Sequence, residues 1–170
     1  MPMPPFLADL RRKVGHALLL LPTIVVIARD SQGRLLLVHD ADSGLWTVPG
    51  GIIEPGEAPA DTAVREVWEE AGVRVQLTGL IGVIGGPGCE THYRNGDRLA
   101  WVASVFAAVT DTCVPVADGQ ETRAAGFFSA AQLQALSIRA DSRRFLALEQ
   151  QASAAGGAVF EAPGWQPPAA

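Results

Sequence analysis

Residues 50–75 read GGIIEPGEAPADTAVREVWEEAGVRV, and the rest of the chain is arranged around them. The stretch predicts a tight glycine turn, a loop and then a helix. Pro55-Gly56 is a turn dipeptide. Pro59 suits a first helical position, where its missing N–H costs nothing, which leaves Ala58, a poor residue, at the cap. Asp61 falls in the first turn, where the helix dipole favours a negative charge. Gly72 ends the helix as a left-handed residue. Gly50 and Gly51 open backbone angles closed to other residues and let a carbonyl approach a ligand. Within the helix, Glu66, Glu69 and Glu70 stand at i, i+3 and i+4 and share a face. Ala60, Ala63, Val64 and Ala71 cluster around Val67 on the other side, as the apolar stripe of a packed helix.

Three like charges on one face oppose helix formation by roughly 0.2–0.5 kcal/mol per pair. Arg65 and Arg74 are the local counter-charges. A solvated acidic face explains such a pattern in many helices. The other reading is a set of hard oxygens short of cations, which suits Mg²⁺ or Mn²⁺ with water and substrate phosphate completing the octahedron.

The same stretch resembles the signature of the Nudix hydrolases: glycine, five residues, glutamate, seven residues, Arg-Glu, an apolar residue, any residue, Glu-Glu, any residue, glycine and an apolar residue. Gly51, Glu57, Arg65, Glu66, Val67, Glu69, Glu70, Gly72 and Val73 fill every fixed place. The likeness extends outward. LWTVPGG over residues 45–51 looks like the strand that enters the signature, and Tyr93-Arg94-Asn95-Gly96-Asp97 is similar to a Tyr-Pro-Asn-Gly-Asp loop of some bacterial members, with Arg94 in place of proline. Glu121, six residues before Phe127, matches a late acidic residue before the last strand. About residues 10–148 are covered in this way.

The resemblance implies an α/β (α+β) fold with a mixed β-sheet sandwiched between α-helices. It also implies Mg²⁺-dependent hydrolysis, with Mn²⁺ as a substitute, of the diphosphate linkage in a nucleoside diphosphate joined to another moiety. ADP-ribose, other nucleotide sugars and nucleoside triphosphates are the substrate classes. Glu69 and Glu70 are implied as principal metal ligands, Glu66 as a ligand or the base, and the Gly50 carbonyl as a further ligand. Arg65 orients the carboxylates through forked hydrogen bonds, Glu57 braces the loop by binding Arg65 or the helix, and Glu121 rivals Glu66 as the base. Trp46 either stacks on a nucleobase or packs in the strand. His39 is a phosphate contact or a surface histidine, at a place where family members often carry basic residues. Tyr93, Arg94 and Arg98, in or beside a long loop, are substrate contacts or solvated residues.

The 170 residues suggest one domain, with a core over about 10–150 and flexible ends. A formal net charge of −5 disfavours general electrostatic binding to nucleic acid or anionic membrane. Cys89 and Cys113 lack metal-ligand spacing and suggest no disulfide framework, so a reducing cytoplasm is expected. Arg11, Arg12 and Lys13 before the apolar run 14–28 imitate a secretory signal. Pro22 and His16 interrupt that run, it is too short to span a bilayer, and a structural segment is the better reading. A homodimer is expected from the resemblance.

In chain order, residues 6–13 form a short helix ended by Gly15. Residues 23–29 (TIVVIAR) and 34–40 (RLLLVHD) form a hairpin about the turn 30–33. A short strand over 45–48 feeds the signature. Residues 74–84 form a strand broken at Gly79, 85–96 a glycine-rich loop, 98–109 a half-buried strand, 110–122 a loop and 124–128 a short strand. Ser129 caps a helix reaching Leu136, Asp141 caps another to about Ala152, and the tail from Ala154 is flexible or packed as an arm. Two other functions compete. One is a catalytically silent nucleotide sensor, which had no need to keep Glu66, Glu69 and Glu70. The other is a prenyl diphosphate isomerase, which needs a catalytic cysteine; Cys89 lacks that context.

Overall fold

Two alternating apolar sets in one strand decide the architecture. In β1 (Leu19–Asp30), Ile24, Val26 and Ala28 point to one side and Val25 and Ile27 to the other, and all five are buried. A strand buried on both faces must lie inside a covered sheet. The computed structural model describes residues 3–93, 95–112, 114–165 and 167. It contains β1, β2 (Leu35–Asp40), β3 (Trp46–Thr47), β4 (Gly50–Ile52), β5 (Gln76–Ile84), β6 (Glu90–His92), β7 (Arg98–Thr110), β8 (Thr122–Phe128) and β9 (Val159–Phe160). Four helices accompany them: α1 (Pro5–Val14), α2 (Pro59–Ala71), α3 (Ala130–Leu133) and α4 (Ala140–Ala155).

All nine strands join one mixed sheet with the central order β3-β2-β1-β7-β5-β9. β1 runs parallel to β7 along its whole length, from Leu19↔Leu99 to Asp30↔Thr110. β4 pairs with β1, β6 with β7 and β8 with β2. One face carries the core of Leu7, Leu21, Val25, Ile27, Phe145 and Leu148, drawn from α1, β1 and α4. On the other, Ala63, Val67 and Ala71 of α2 pack against Ile24, Val26, Leu36 and Val38. The expected α/β sandwich is the observed fold.

Several local expectations shift. β1 begins four residues earlier than the β-branched run, because its partner β7 is long; the apolar run 14–28 is thus largely strand. The hairpin of β1 and β2 pairs only at Arg29↔Leu35, since β4 and β7 take the sides of β1 and β8 and β3 those of β2. The glycine turn at Gly50-Gly51 is instead strand β4, antiparallel to β1 through Ile24↔Gly51 and Val25↔Gly50. Neither glycine has positive φ. Glycine is required there by crowding: a Cβ on Gly50 would collide with the Ile24 carbonyl oxygen, and one on Gly51 with the Glu66 carboxyl.

The break in β5 is a pair of irregularities, at Leu77/Gly79 and Leu80/Gly82. The glycine-rich loop contains β6 and is a hairpin with β7. Ser129 forms a capping box with Gln132 on α3, which ends at Leu133, short of Leu136. Arg139 is the N-cap of α4, and Asp141 sits inside its first turn. The tail adds β9 to the sheet edge through Gly82↔Val159.

The N-terminal helix is tied down by one side chain. Arg11, 9% exposed, donates from Nη1 to the Gly15 and Ala17 carbonyls (3.1 and 2.6 Å) and from Nη2 to the Arg98 carbonyl (2.7 Å). Its Nε lies 3.5 Å from the Asp97 carboxylate, which also holds His16 Nδ1 at 2.8 Å.

Candidate active site

α2 follows the local rules of its sequence. Ala58 is an N-cap without a side-chain bond, Pro59 opens the helix and Asp61 is in its first turn. Gly72 closes it in the left-handed region at φ 61°. The buried stripe is rotated from expectation. Val64 and Ala60 are exposed, while Thr62, Glu66 and Glu70 are buried beside Ala63, Val67 and Ala71. Two of the three acidic residues therefore face β4 and one, Glu69, faces solvent.

Gly51 leaves the space that the Glu66 carboxyl occupies. The Gly50 N–H donates to Glu70 Oε2 at 3.2 Å. Burial pushes Glu70 well above the ordinary carboxylate range; the neighbouring Glu66 charge adds to this and the Gly50 N–H works against it. Burial likewise pushes Glu66 up, to about 7, although Arg65 pulls the other way; Glu69 and Glu121 reinforce the rise. Glu121 is itself raised, first by burial and then by Asp118 and Glu69. The late acidic residue thus joins the electrostatic field of the α2 carboxylates from a separate loop.

Arg65 organises this cluster. Its Nε and Nη2 donate to the two Glu57 oxygens at 2.7 and 2.8 Å. Its Nη1 donates to Glu66 Oε1 and Glu69 Oε2, each at 2.9 Å. Glu57 also accepts from Thr62 Oγ1 at 2.8 Å and the Glu54 N–H at 3.2 Å. The Arg65 fork holds Glu57 at about 2, overcoming the effect of its burial.

Among the described residues no three His, Cys, Asp or Glu side chains close into a ready metal cage; the Arg65 guanidinium bridges Glu66 and Glu69. The chemistry of the set still fits a hard divalent cation. Burial makes the charges of Glu66 and Glu70 costly, and such a cation relieves that cost while using few protein ligands.

The remaining candidates are spread around this centre. The Trp46 ring meets His39 edge-on at 5.2 Å and Phe128 at 4.8 Å between centroids, so it packs between strands. His39, half-buried, is occupied with that contact. Tyr93 is 39% exposed on the β6–β7 hairpin; burial raises its hydroxyl, and the charges it feels include Arg139, Asp42 and Asp40. Arg98 lies 3.7 Å from the Glu90 carboxylate. Arg94 and Cys113 lie outside the described residues. Cys89 is a buried free thiol with Arg144 Nη1 3.2 Å from its sulfur.

Asp118 and Thr122 were not anticipated. The Thr122 hydroxyl donates to the Glu70 carbonyl at 2.7 Å, and Asp118 accepts from the backbone around Glu121. The Asp118-Gly119 dipeptide was a usable turn signal, but the tie to α2 spans some fifty positions and leaves no local trace.

A model of the NUDIX domain matches residues 19–148. A MutT-like protein of Streptomyces ambofaciens is 49% identical over 59 residues, which cover 35% of this chain and 37% of that protein. A putative 8-oxo-dGTP diphosphatase of Bacillus subtilis is 44% identical over 59 residues, covering 35% of this chain and 39% of that one. The matched segments thus span under two fifths of these relatives. A NUDIX hydrolase structure from Nitrosomonas europaea, 22% identical, superposes with a TM-score of 0.64 over 83% of this chain and 76% of that one, a likeness of fold. With the family model matched across its sheet and α2, and with every fixed residue of the signature in place, the chain belongs to the NUDIX domain family.

Proposed function

We propose that the chain is a Mg²⁺-dependent pyrophosphohydrolase acting on a nucleoside diphosphate linked to another moiety: ADP-ribose, another nucleotide sugar or a nucleoside triphosphate. The observation that carries this is the burial of Glu66 and Glu70 against the Gly50–Gly51 strand, with Arg65 joining Glu66 to Glu69. Glu66, Glu69 and Glu70, with the Gly50 carbonyl, are the residues that would hold the cation, and Mn²⁺ suits the same oxygens. When bound, the cation supplies Lewis-acid neutralisation of phosphate oxygens and lowers the pKa of a bound water.

The chain's own residues do the rest. Glu57 fixes Arg65, and Arg65 fixes the rotamers of Glu66 and Glu69. A water attacks one phosphorus, the bridging P–O bond breaks, and the two products each keep a phosphate. Glu121 or Glu66 accepts the proton of the attacking water; such a base contributes about 10²–10⁴-fold. Positioning and electrostatics suffice for this chemistry. In this reading Tyr93 and Arg98, on the β6–β7 hairpin, are the side chains offered to substrate, while Trp46 and His39 are taken up by their own edge-on contact.

We place the reaction in the cytoplasm, with a homodimer as the working state and no nucleic-acid or membrane partner. Net charge of −5 supports the lack of a polyanionic partner and the Cys89 thiol supports a reducing compartment, while the homodimer rests on the family resemblance.

The test is product identification with Mg²⁺ on ADP-ribose, other nucleoside diphosphate sugars, dinucleoside polyphosphates and each nucleoside triphosphate. Rapid conversion of one class is expected and names the bond cleaved. No turnover across the panel, with metal still bound, would favour the nucleotide sensor.

A further inference from the structure

Glu121 stands in a stretch without helix or strand between β7 and β8. A long side chain on such a segment is costly to hold in one place. Here the backbone around it is tied on three sides. Asp118 Oδ1 accepts from the N–H groups of Gln120, Glu121 and Thr122 at 3.1, 3.1 and 2.8 Å, and Oδ2 accepts from Glu121 N–H at 3.1 Å. The Glu121 carbonyl accepts from the Ala41 N–H at 2.9 Å, linking the turn to the end of β2. The buried Thr122 hydroxyl lies 3.0 Å from Asp118 Oδ1 and donates to the Glu70 carbonyl at 2.7 Å, linking it to the last turn of α2.

The strand that follows is irregular at the same point. Thr122 pairs with Asp40 and Ala124 with His39, so Arg123 is an extra residue in β8. A bulge of this kind re-aims the chain beside it and is common next to active sites. The turn, the bulge and the Thr122 tie fix the backbone of Glu121 relative to the carbonyl of Glu70.

We propose that Asp118 is a positioning residue that holds Glu121 in register with the α2 carboxylates, and so sets how tightly the site takes a divalent cation. Resting on the reading of Glu66, Glu69, Glu70 and Glu121 as one metal-dependent centre, this assigns Asp118 no contact with metal or substrate; it acts through Glu121. The ionised Asp118 suits the role, because charge-assisted bonds to backbone N–H groups are roughly twice as strong as neutral ones.

The test uses the full chain with Mn²⁺ alone as probe, following free Mn²⁺ by electron paramagnetic resonance, and urea unfolding as a check of fold. Asp118→Ala is expected to weaken Mn²⁺ affinity about tenfold by displacing the Glu121 charge from the carboxylates that hold the cation, the scale for groups just outside a metal's own ligands. In the Glu121→Gln background the same change is expected to alter affinity by less than about twofold, since coupled residues are non-additive. A merely structural residue would weaken both backgrounds by the same factor, and that result would overturn the proposal, as would wild-type affinity in Asp118→Ala. Should Asp118→Ala not fold, Asp118→Asn, which keeps the oxygen and loses the charge, is read in the same two backgrounds with a smaller, equally non-additive loss expected. Glu70→Gln separates the two levels. Unchanged Mn²⁺ binding there overturns the metal centre itself, and the proposal with it. Weakened binding there beside an unaffected Asp118→Ala overturns the proposal alone.

Discussion

Gly51 and Glu66 share one space: a Cβ on Gly51 would overlap the Glu66 carboxyl. The glycine that opens the signature and the first glutamate of its helix are therefore a packing pair, fifteen positions apart in sequence and in contact through strand β4. Gly51→Ala is expected to displace Glu66 and lower kcat by orders of magnitude. Its cost in stability is that of overpacking, about 1–3 kcal/mol. Steady-state kinetics beside urea unfolding check this; wild-type kcat in a folded Gly51→Ala protein would contradict the packing.

Much of α2 was legible from local rules, and β4 was not. Pro59, Asp61 and Gly72 mark the helix through propensities that act within a turn. Gly50-Gly51 reads as a turn for the same reason, since glycine pairs are commonest there. The need for glycine instead comes from Ile24 and Glu66, neither of them a local neighbour. The pairing of β1 with β7 joins residues about eighty positions apart and lengthens β1 beyond its β-branched run. The acidic residues were recognisable as a set, but the tilt that buries Glu66 and Glu70 and exposes Glu69 depends on the sheet under the helix. Glu121 was found through the family resemblance, which places a late acidic residue before the last strand, whereas the Asp118 turn supporting it rests on backbone bonds with no periodic signal.

The Glu57–Arg65 fork has a pH signature. Glu57 is held at about 2 in the folded chain against an ordinary 4.5. The unfolded chain therefore takes up this proton first as pH falls. The stabilisation is complete above 4.5 and lost as pH falls through about 2. With EDTA present, Glu57→Gln is expected to flatten that part of the acid limb in urea midpoints against pH. An unaltered limb would show that the fork contributes nothing.

Arg11 links α1 to the turn after it and to β7. Arg11→Ala leaves the buried Asp97 carboxylate short of a counter-charge and three carbonyls short of a donor, a loss on the order of 3 kcal/mol. Denaturant unfolding measures it. Since α1 lies on the face opposite α2, Mn²⁺ affinity of the folded protein is expected to stay within about twofold of wild type, as for distant sites.

Trp46 is expected to matter through packing. Its ring fills the space between His39 and Phe128, so Trp46→Ala should cost about 3 kcal/mol, whereas Trp46→Phe should keep most of the stability and leave KM near wild type. A large rise in KM for Trp46→Phe at unchanged stability would instead assign the indole to the substrate.

The most direct measurement is turnover of the best substrate as a function of free Mg²⁺, in the wild type and in Glu70→Gln. Glutamine keeps an oxygen for the Gly50 N–H and removes a charge whose burial is unfavourable, so the variant is expected to fold with wild-type stability. EDTA is expected to abolish wild-type turnover and added Mg²⁺ to restore it, with Glu70→Gln lower by orders of magnitude at every Mg²⁺ concentration. Turnover in EDTA, or wild-type rates in Glu70→Gln, would contradict a catalytic centre built on the α2 carboxylates.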